Sequence, residues 1–232
     1  MLDIHCHILP GLDDGPQTMD EALAMLRIAE ADGIRTIVAT PHFAGRFGEP
    51  PPDLIRALVQ RVNERAADEG LPVTVLAGCE AYLDLELPSK AEAGKLVTFG
   101  GERHYLLIEV PTEPIPLYAL EVSFQLRVMG IQPILAHGER LAVTEAGLTF
   151  VRRFVEQGGL VQANADAIGG QVGRRMRRLC QQMVKDGLVH LIATDAHSPA
   201  YRPPILTVCL RGFPKPMRDT ALGKYCSLEG IT

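Results

Sequence analysis

Seven short apolar runs, separated mostly by helical patterns, constrain the fold of this chain more than any other feature of its sequence. They are LDI at the start, RTIVAT near 35–40, VTVLAG near 73–78, YLLIEV near 105–110, PILA near 133–136, LVQAN near 160–164 and LVHLIAT near 188–194. Runs this short and this continuously apolar fit strands covered on both faces, as in a parallel sheet. The clearest helix lies between the first two. Thr18 and Glu21 have capping-box spacing, Ala22, Met25, Leu26 and Ala29 form one stripe, and Gly33 ends it. Segment 53–69 starts after three prolines and stops at Gly70. Segments 116–129, 144–157 and 172–186 run to Gly130, Gly158 and Gly187. Such β-α alternation implies an α/β fold with parallel strands and helical crossovers. No repeat, low-complexity tract or linker interrupts it, so residues 1–232 are expected to form one domain.

Composition excludes several function classes. The 232 residues carry a formal charge of −5, which argues against a nucleic-acid surface. The densest basic run, Arg174–Arg178, falls in a helical pattern and reads as a solvated face. Five cysteines, odd in number and unevenly spaced, do not make a disulfide framework. None begins a C-x5-R phosphate loop. The N-terminus has no signal-peptide pattern and no run is long enough to span a bilayer, so a soluble, reducing, cytoplasmic setting is expected.

The chemistry-bearing residues sit at the ends of the runs. The first ends in His5 and His7, the second runs into His42, the third ends in Glu80, and the fourth carries Glu109. The fifth ends in His137, followed by Glu139 and Arg140, and the seventh ends in Asp195 and His197. In a parallel β/α barrel the strand C-termini converge on one face, where sites are built. Residues i and i+2 on a strand point to one side, so His5 and His7 can reach one ion, and Asp195 and His197 repeat that spacing. Burying so many ionisable groups together without counter-charge is very costly, and a cluster of cations removes that cost. The donors exceed what one tetrahedral ion needs, which points to two or three ions. Mixed nitrogen and oxygen ligation without thiolate suits Mn²⁺, Fe or Zn²⁺. Cys6 and Cys79, each next to a ligand, are expected to face away and pack. His104 and His190 lie at the wrong ends of their strands and read as structural or surface histidines. Arg140 and Arg202 belong on loops at the same mouth, where guanidinium groups would bind an anionic phosphoryl group. The plainer alternative is a loop salt bridge, such as Arg140 with Glu139.

In that order, DIHCHILPGLDDG, ATPH, GCE, LLIEVP, LAHGER and IATDAH resemble the polymerase-and-histidinol-phosphatase (PHP) superfamily, and within it the bacterial CpsB/CapC type of tyrosine phosphatase. The resemblance runs from residue 1 to about 204. It implies a distorted (β/α)7 TIM-like barrel and a trinuclear, commonly Mn²⁺-dependent, site. His5, His7, Glu80 and Asp195 would hold one ion, and Glu80 would bridge to a second held with Glu109 and His137. Asp14, His42 and His197 would hold the third. Spacing alone does not separate Asp13 from Asp14; the resemblance favours Asp14. Arg140 and Arg202 match arginines assigned to phosphate binding and catalysis.

Two features depart from the family pattern. Gly138 stands where Pro is frequent, which is expected to loosen that loop. Residues 205–232, broken by Gly212, Pro214 and Pro216, replace an amphipathic terminal helix, so a short or displaced last helix is expected. The sequence leaves open whether the chain forms a homo-oligomer.

The resulting expectation is a metal-dependent phosphoesterase acting on protein phosphotyrosine, with the tail of an autophosphorylating bacterial tyrosine kinase of capsule or exopolysaccharide synthesis as partner. That partner is implied by the resemblance alone. One alternative is another hydrolase on the same scaffold, such as a small-molecule phosphatase of the histidinol-phosphatase type. An amidohydrolase fits less well, because no central strand ends in the bridging lysine. The other alternative is a non-catalytic regulatory module that keeps its metals for stability.

Overall fold

The structure is a computed structural model that describes residues 1–100 and 104–228. Its strands are β1 (Leu2–Cys6), β2 (Thr36–Ala39), β3 (His42–Phe43), β4 (Thr74–Ala77), β5 (Glu80–Tyr82), β6 (His104–Glu109), β7 (Ile131–Leu135), β8 (Leu160–Asn164) and β9 (Leu191–Ala193). All pair in parallel, in the orders β1-β2-β4 and β3-β5-β6-β7-β8-β9. The split is local. The chain passes from β2 to β3 through Thr40 and Pro41, and from β4 to β5 through Gly78 and Cys79, so the expected second and third strands are each broken once. The ring closes between β9 and β1, where Asp195 N–H donates to His5 O and His7 N–H to Ala196 O, both at 2.8 Å. A distorted seven-stave barrel results, as the seven runs and the resemblance lead one to expect.

The helices follow the strands: α1 (Met19–Asp32), α2 (Pro52–Asp68), α3 (Leu87–Glu92), α4 (Ala119–Val128), α5 (Gly138–Leu141), α6 (Glu145–Glu156), α7 (Ala165–Gly169), α8 (Arg174–Lys185) and α9 (Arg218–Tyr225). In α1 the Thr18–Glu21 box is formed and Gly33 caps the end at φ 89°. Helix α4 starts later than the pattern suggested, because Pro114 and Pro116 hold the preceding chain out of the helical region. Helix α8 starts after Gly173, whose φ of 113° is not helical. The short helices α3, α5 and α7 are too brief to show a period. On α8, Arg174, Arg175 and Arg178 are exposed as read, whereas Arg177 is half-buried and donates to Arg211 O.

Two apolar layers hold the barrel. Leu2, Ile4, Val38, Leu107, Ile134 and Leu191 fill the lumen. Met25, Ile37, Ile55, Leu126 and Phe154 belong to the larger cluster between strands and helices. Gly78 is a packing requirement, since a Cβ there would lie 2.7 Å from Val38 Cγ1. The last helix of the C-terminal segment is short, as expected. The segment folds beneath the barrel: Cys226 O accepts from Leu2 N–H at 3.0 Å, and Leu228 packs on the lumen cluster. Gly169 and Gly212 permit this, because a Cβ on either would lie within 2.4 Å of a carbonyl oxygen across the α7 contact.

Candidate metal centre

The first strand delivers its two histidines by an irregularity. Ile4 belongs to the lumen, so strict alternation would turn His5 toward the helices. The register instead moves from Asp3↔Ile37 to Cys6↔Ala39, three steps in β1 against two in β2. The extra residue re-aims the chain, as bulges beside functional sites do. His5 and His7 then both face the barrel mouth, and Cys6 joins the outer cluster.

All nine expected ligands meet there. His5 Nε2 lies 3.4 Å from Glu80 Oε2 and 3.3 Å from Asp195 Oδ1. His7 Nε2 lies 3.4 Å from the same Glu80 oxygen. His137 Nε2 is 3.1 Å from Glu80 Oε1 and 3.8 Å from Glu109 Oε1. Asp14 Oδ1 lies 3.5 Å from His42 Nε2 and 3.3 Å from His197 Nε2. Three overlapping sets have ligand atoms close enough to share an ion: His7, Asp14, His42 and His197; His5, His7 and Glu80; and His42, Glu80 and Glu109. Two of these residues, His137 at φ 33° and Asp195 at φ 52°, occupy left-handed backbone, a strain of about 1–3 kcal/mol each.

Two observations fit these residues to cations. Glu80 Oε2 is buried and accepts no hydrogen bond, although three imidazole nitrogens lie within 3.4 Å of it. The His5 and His7 Nε2 atoms face each other at 3.3 Å. Electrostatics agrees. Burial pulls His7 down, but the hydrogen bond to Asp13 and the nearby charges of Asp13 and Glu80 prevail and raise it to about 10. Burial likewise works against ionised Glu80 and Asp195. The surrounding His5 and His137, joined by His42 at Glu80 and by Arg202 at Asp195, nevertheless hold both below the usual carboxylate range. Burial and the charge of His7 lower His197 to about 4. The carboxylates thus favour protons on His5 and His7, a counter-charge that a cation cluster would supply instead. Cys6 and Cys79 contribute no thiolate: both are fully buried and burial raises both thiols, Cys79 to about 12.

The adjacent aspartates divide the work. Asp13 Oδ2 accepts from His7 Nδ1 at 2.6 Å and from His42 N–H at 3.0 Å, and Oδ1 from Gly15 N–H at 2.9 Å. These bonds outweigh burial and lower Asp13 to about 2. Asp13 thereby fixes the His7 ring and leaves Nε2 for the site, while Asp14 joins the ligand atoms. The sixth run, LVQAN, carries no candidate ligand but supplies further orientation. Gln162 Oε1 accepts from His5 Nδ1 at 3.1 Å and His137 N–H at 2.7 Å. Its Nε2 donates to Asn164 Oδ1 at 2.8 Å, and Asn164 Nδ2 donates to Asp195 Oδ2 at 2.9 Å. Gln162 and Asn164 follow the same i, i+2 rule as His5 and His7, and that polar alternation within an apolar run was the available signal.

Both arginines reach the mouth. Arg140 Nη2 donates to Asp195 Oδ2 at 2.7 Å, and Arg202 bonds the same oxygen. The Arg140–Glu139 loop pair does not form. Glu139 is turned inward, 1% exposed, and accepts from Asn164 N–H. Gly138 corrects another expectation. Its loop is packed rather than loosened, since a Cβ there would sit 2.5 Å from Val161 Cγ1. His104 starts β6 and contacts Thr98, and His190 Nδ1 accepts from Val161 N–H, both away from the mouth. Seven of the nine candidate ligands, all but His5 and His7, line a cavity of about 560 Å³ with both arginines and with Ala44, Gly45, Arg46, Phe47 and Tyr82, which the strand-end pattern did not reveal.

Comparison with known proteins places this arrangement. Tyrosine-protein phosphatase YwqE of Bacillus subtilis is 32% identical over 198 residues, 85% of this chain and 78% of that protein. The putative tyrosine-protein phosphatase CapC of Staphylococcus aureus is 32% identical over 203 residues, 88% of this chain and 79% of that one. Among solved structures, one from the work on YwqE and on CpsB of Streptococcus pneumoniae, described as unique metal-dependent tyrosine phosphatases, matches with a TM-score of 0.86. It is 27% identical and covers 100% of both chains. A lactonase from Listeria monocytogenes shares the fold, with a TM-score of 0.52 and 10% identity over 97% of this chain and 88% of that one. The family model described as capsular polysaccharide synthesis, CpsB/CapC, matches residues 1–225, and the chain belongs to that family.

Proposed function

We propose that this protein is a metal-dependent phosphomonoesterase of the PHP type that hydrolyses phosphotyrosine in proteins. The buried Glu80 Oε2, which accepts no hydrogen bond between converging imidazoles, carries the metal half of this reading. His5, His7, Glu80 and Asp195 would hold one ion, Glu80, Glu109 and His137 a second, and Asp14, His42 and His197 a third. The resemblance favours Mn²⁺, and the mixed donor set also suits Fe or Zn²⁺. Bound ions supply Lewis-acid charge and an activated water. Arg140 and Arg202, both held on Asp195 Oδ2, stand ready to take the non-bridging phosphoryl oxygens and stabilise their charge. Water forms the new bond to phosphorus, and the ester oxygen leaves with the electrons of the broken bond. A tyrosinate is a fairly good leaving group, so no strong general acid is required.

The relatives are named as tyrosine-protein phosphatases and the family is one of capsular polysaccharide synthesis. These names support a phosphotyrosine-protein substrate; the tail of a bacterial tyrosine kinase, which the resemblance implies, is the partner assigned to it. Five free, buried cysteines fit a reducing, cytoplasmic setting. The test is phosphate release with Mn²⁺ from a phosphotyrosine peptide, a phosphoserine peptide and histidinol phosphate. Preference for phosphotyrosine is expected. Preference for histidinol phosphate moves the substrate to small molecules, and no turnover from metal-loaded protein leaves a regulatory module.

A further inference from the structure

One part of the cavity wall differs in chemistry from the rest. The loop after β3 brings Arg46 and Phe47 to the mouth, and β5 brings Tyr82. The Phe47 ring stacks on His42, centroids 4.5 Å apart and planes within 4°. The Arg46 guanidinium lies over the Phe47 ring at 4.6 Å and pairs with Asp14 at 3.2 Å. The backbone is shaped to this end. Ala44, Gly45 and Gly48 all have positive φ within five residues, and Ala44 N–H donates to Gly48 O at 2.6 Å, closing the loop. A Cβ on Gly45 would meet ring atoms of Tyr82 from 3.6 Å, so the loop backbone lies directly against that ring. Glu49 ties the loop's far end to Lys90 at 3.0 Å.

We propose that Phe47 and Tyr82 form the slot that receives the aromatic ring of an aryl phosphomonoester, and that this slot makes the site select aryl over alkyl esters. The inference rests on the phosphatase reading and deepens it by naming the residues that choose the substrate. The carboxylates, imidazoles and arginines specify a phosphoryl group but are indifferent to what it esterifies. A phosphoserine places only a methylene beside the wall, whereas an aryl ester places a ring there. Aromatic pairs gain from both buried area and quadrupole geometry. Arg46 is the movable layer of the stack. Its side chain is 77% exposed and is held by one ion pair and the ring contact, so it can yield the outer face of Phe47 to an incoming ring.

The test compares Mn²⁺-loaded wild type, Tyr82→Ala and Phe47→Leu. It measures kcat/KM for phenyl phosphate and ethyl phosphate, inhibition by phenylphosphonate and methylphosphonate, and metal content. The aryl-to-alkyl ratio is expected to fall about tenfold in each variant, mainly through KM, from the loss of an aromatic contact. The two phosphonates should converge in affinity. Equal loss on both esters would overturn the slot and leave Phe47 as a support for His42. Tyr82 is paired with Glu109 only through the strand backbone, which an alanine keeps, so its variant separates the two. If wild type turns over neither ester with metals bound, the phosphatase reading fails. The phosphonate preference then still decides the slot, and equal affinity for both would refute it.

Discussion

Gln162→Leu is the substitution whose outcome most depends on the account of how the ligands are oriented. The change is close to isosteric, so it tests hydrogen bonding rather than volume. It removes the acceptor of His5 Nδ1 and of His137 N–H and the donor to Asn164 Oδ1, all buried. A buried polar group left unsatisfied costs roughly 1–3 kcal/mol. The three share one side chain and do not add fully, so a total of about 2–5 kcal/mol follows. For a domain of this size 1 kcal/mol shifts Tm by about 2–4 °C, giving a fall of about 4–20 °C. The functional effect should be distinct. With no acceptor at Nδ1 the His5 ring loses its fixed tautomer, and removing an outer partner of this kind typically costs about 10–100-fold in metal affinity. Gln162→Glu keeps an acceptor for both groups and should retain metal better than the leucine variant. Calorimetric Mn²⁺ titration and thermal denaturation measure both effects. Wild-type metal affinity in a folded Gln162→Leu protein would refute the orientation argument.

Further expectations follow from other parts of the structure. Asp13→Ala should fold yet bind metal about 10–100-fold more weakly, because His7 loses the partner that fixes its ring; metal titration checks it. Arg202→Ala should keep its metals and its Tm within a few degrees while turnover drops about 10²–10³-fold, the usual loss for one charge-stabilising donor. Metal analysis beside phosphate release measures both, and unchanged turnover would remove Arg202 from the reaction. Gly147→Ala would place a Cβ 1.8 Å from Leu141 O, so an overpacking cost of at least about 1–3 kcal/mol should lower Tm. His190 is held below its usual pKa by burial, partly offset by a backbone contact at Leu188. The unfolded chain therefore binds this proton more readily, and the associated stability is present above the unfolded pKa near 6.5 and lost as pH falls. His190→Leu should be less stable than wild type at pH 8, because Val161 N–H loses its acceptor, and the gap in Tm should narrow below pH 6.

The sequence made the convergence of these side chains legible because a parallel barrel turns strand order into spatial proximity. Once seven runs are recognised, residues as distant as His5 and Asp195 must meet at one rim. What stayed hidden depends on backbone detail without compositional signal. The extra residue in β1 lets His5 share a face with the lumen residue Ile4, and nothing in LDIHCH announces it. The breaks at Thr40–Pro41 and Gly78–Cys79 are similar, since each run reads as continuous. Asp13 and Asp14 were indistinguishable by spacing, and hydrogen bonding separates them. Asp3 escaped as a polar residue in an apolar strand. It is fully buried, accepts from Thr194 N–H at 3.0 Å and Thr194 Oγ1 at 2.5 Å, and ties the seam where the barrel closes. Arg46 and Phe47 lie on a loop of positive-φ residues, whose direction no periodicity reports.

The central claim is that the basket around Glu80 holds metal ions on which phosphotyrosine hydrolysis depends. The most direct measurement follows metal content and phosphate release from a phosphotyrosine peptide in one sample, before chelation, after it, and through stepwise return of Mn²⁺. The account predicts that both disappear together and recover in parallel as two or three ions per chain are restored. Full turnover by protein shown to be metal-free would contradict it.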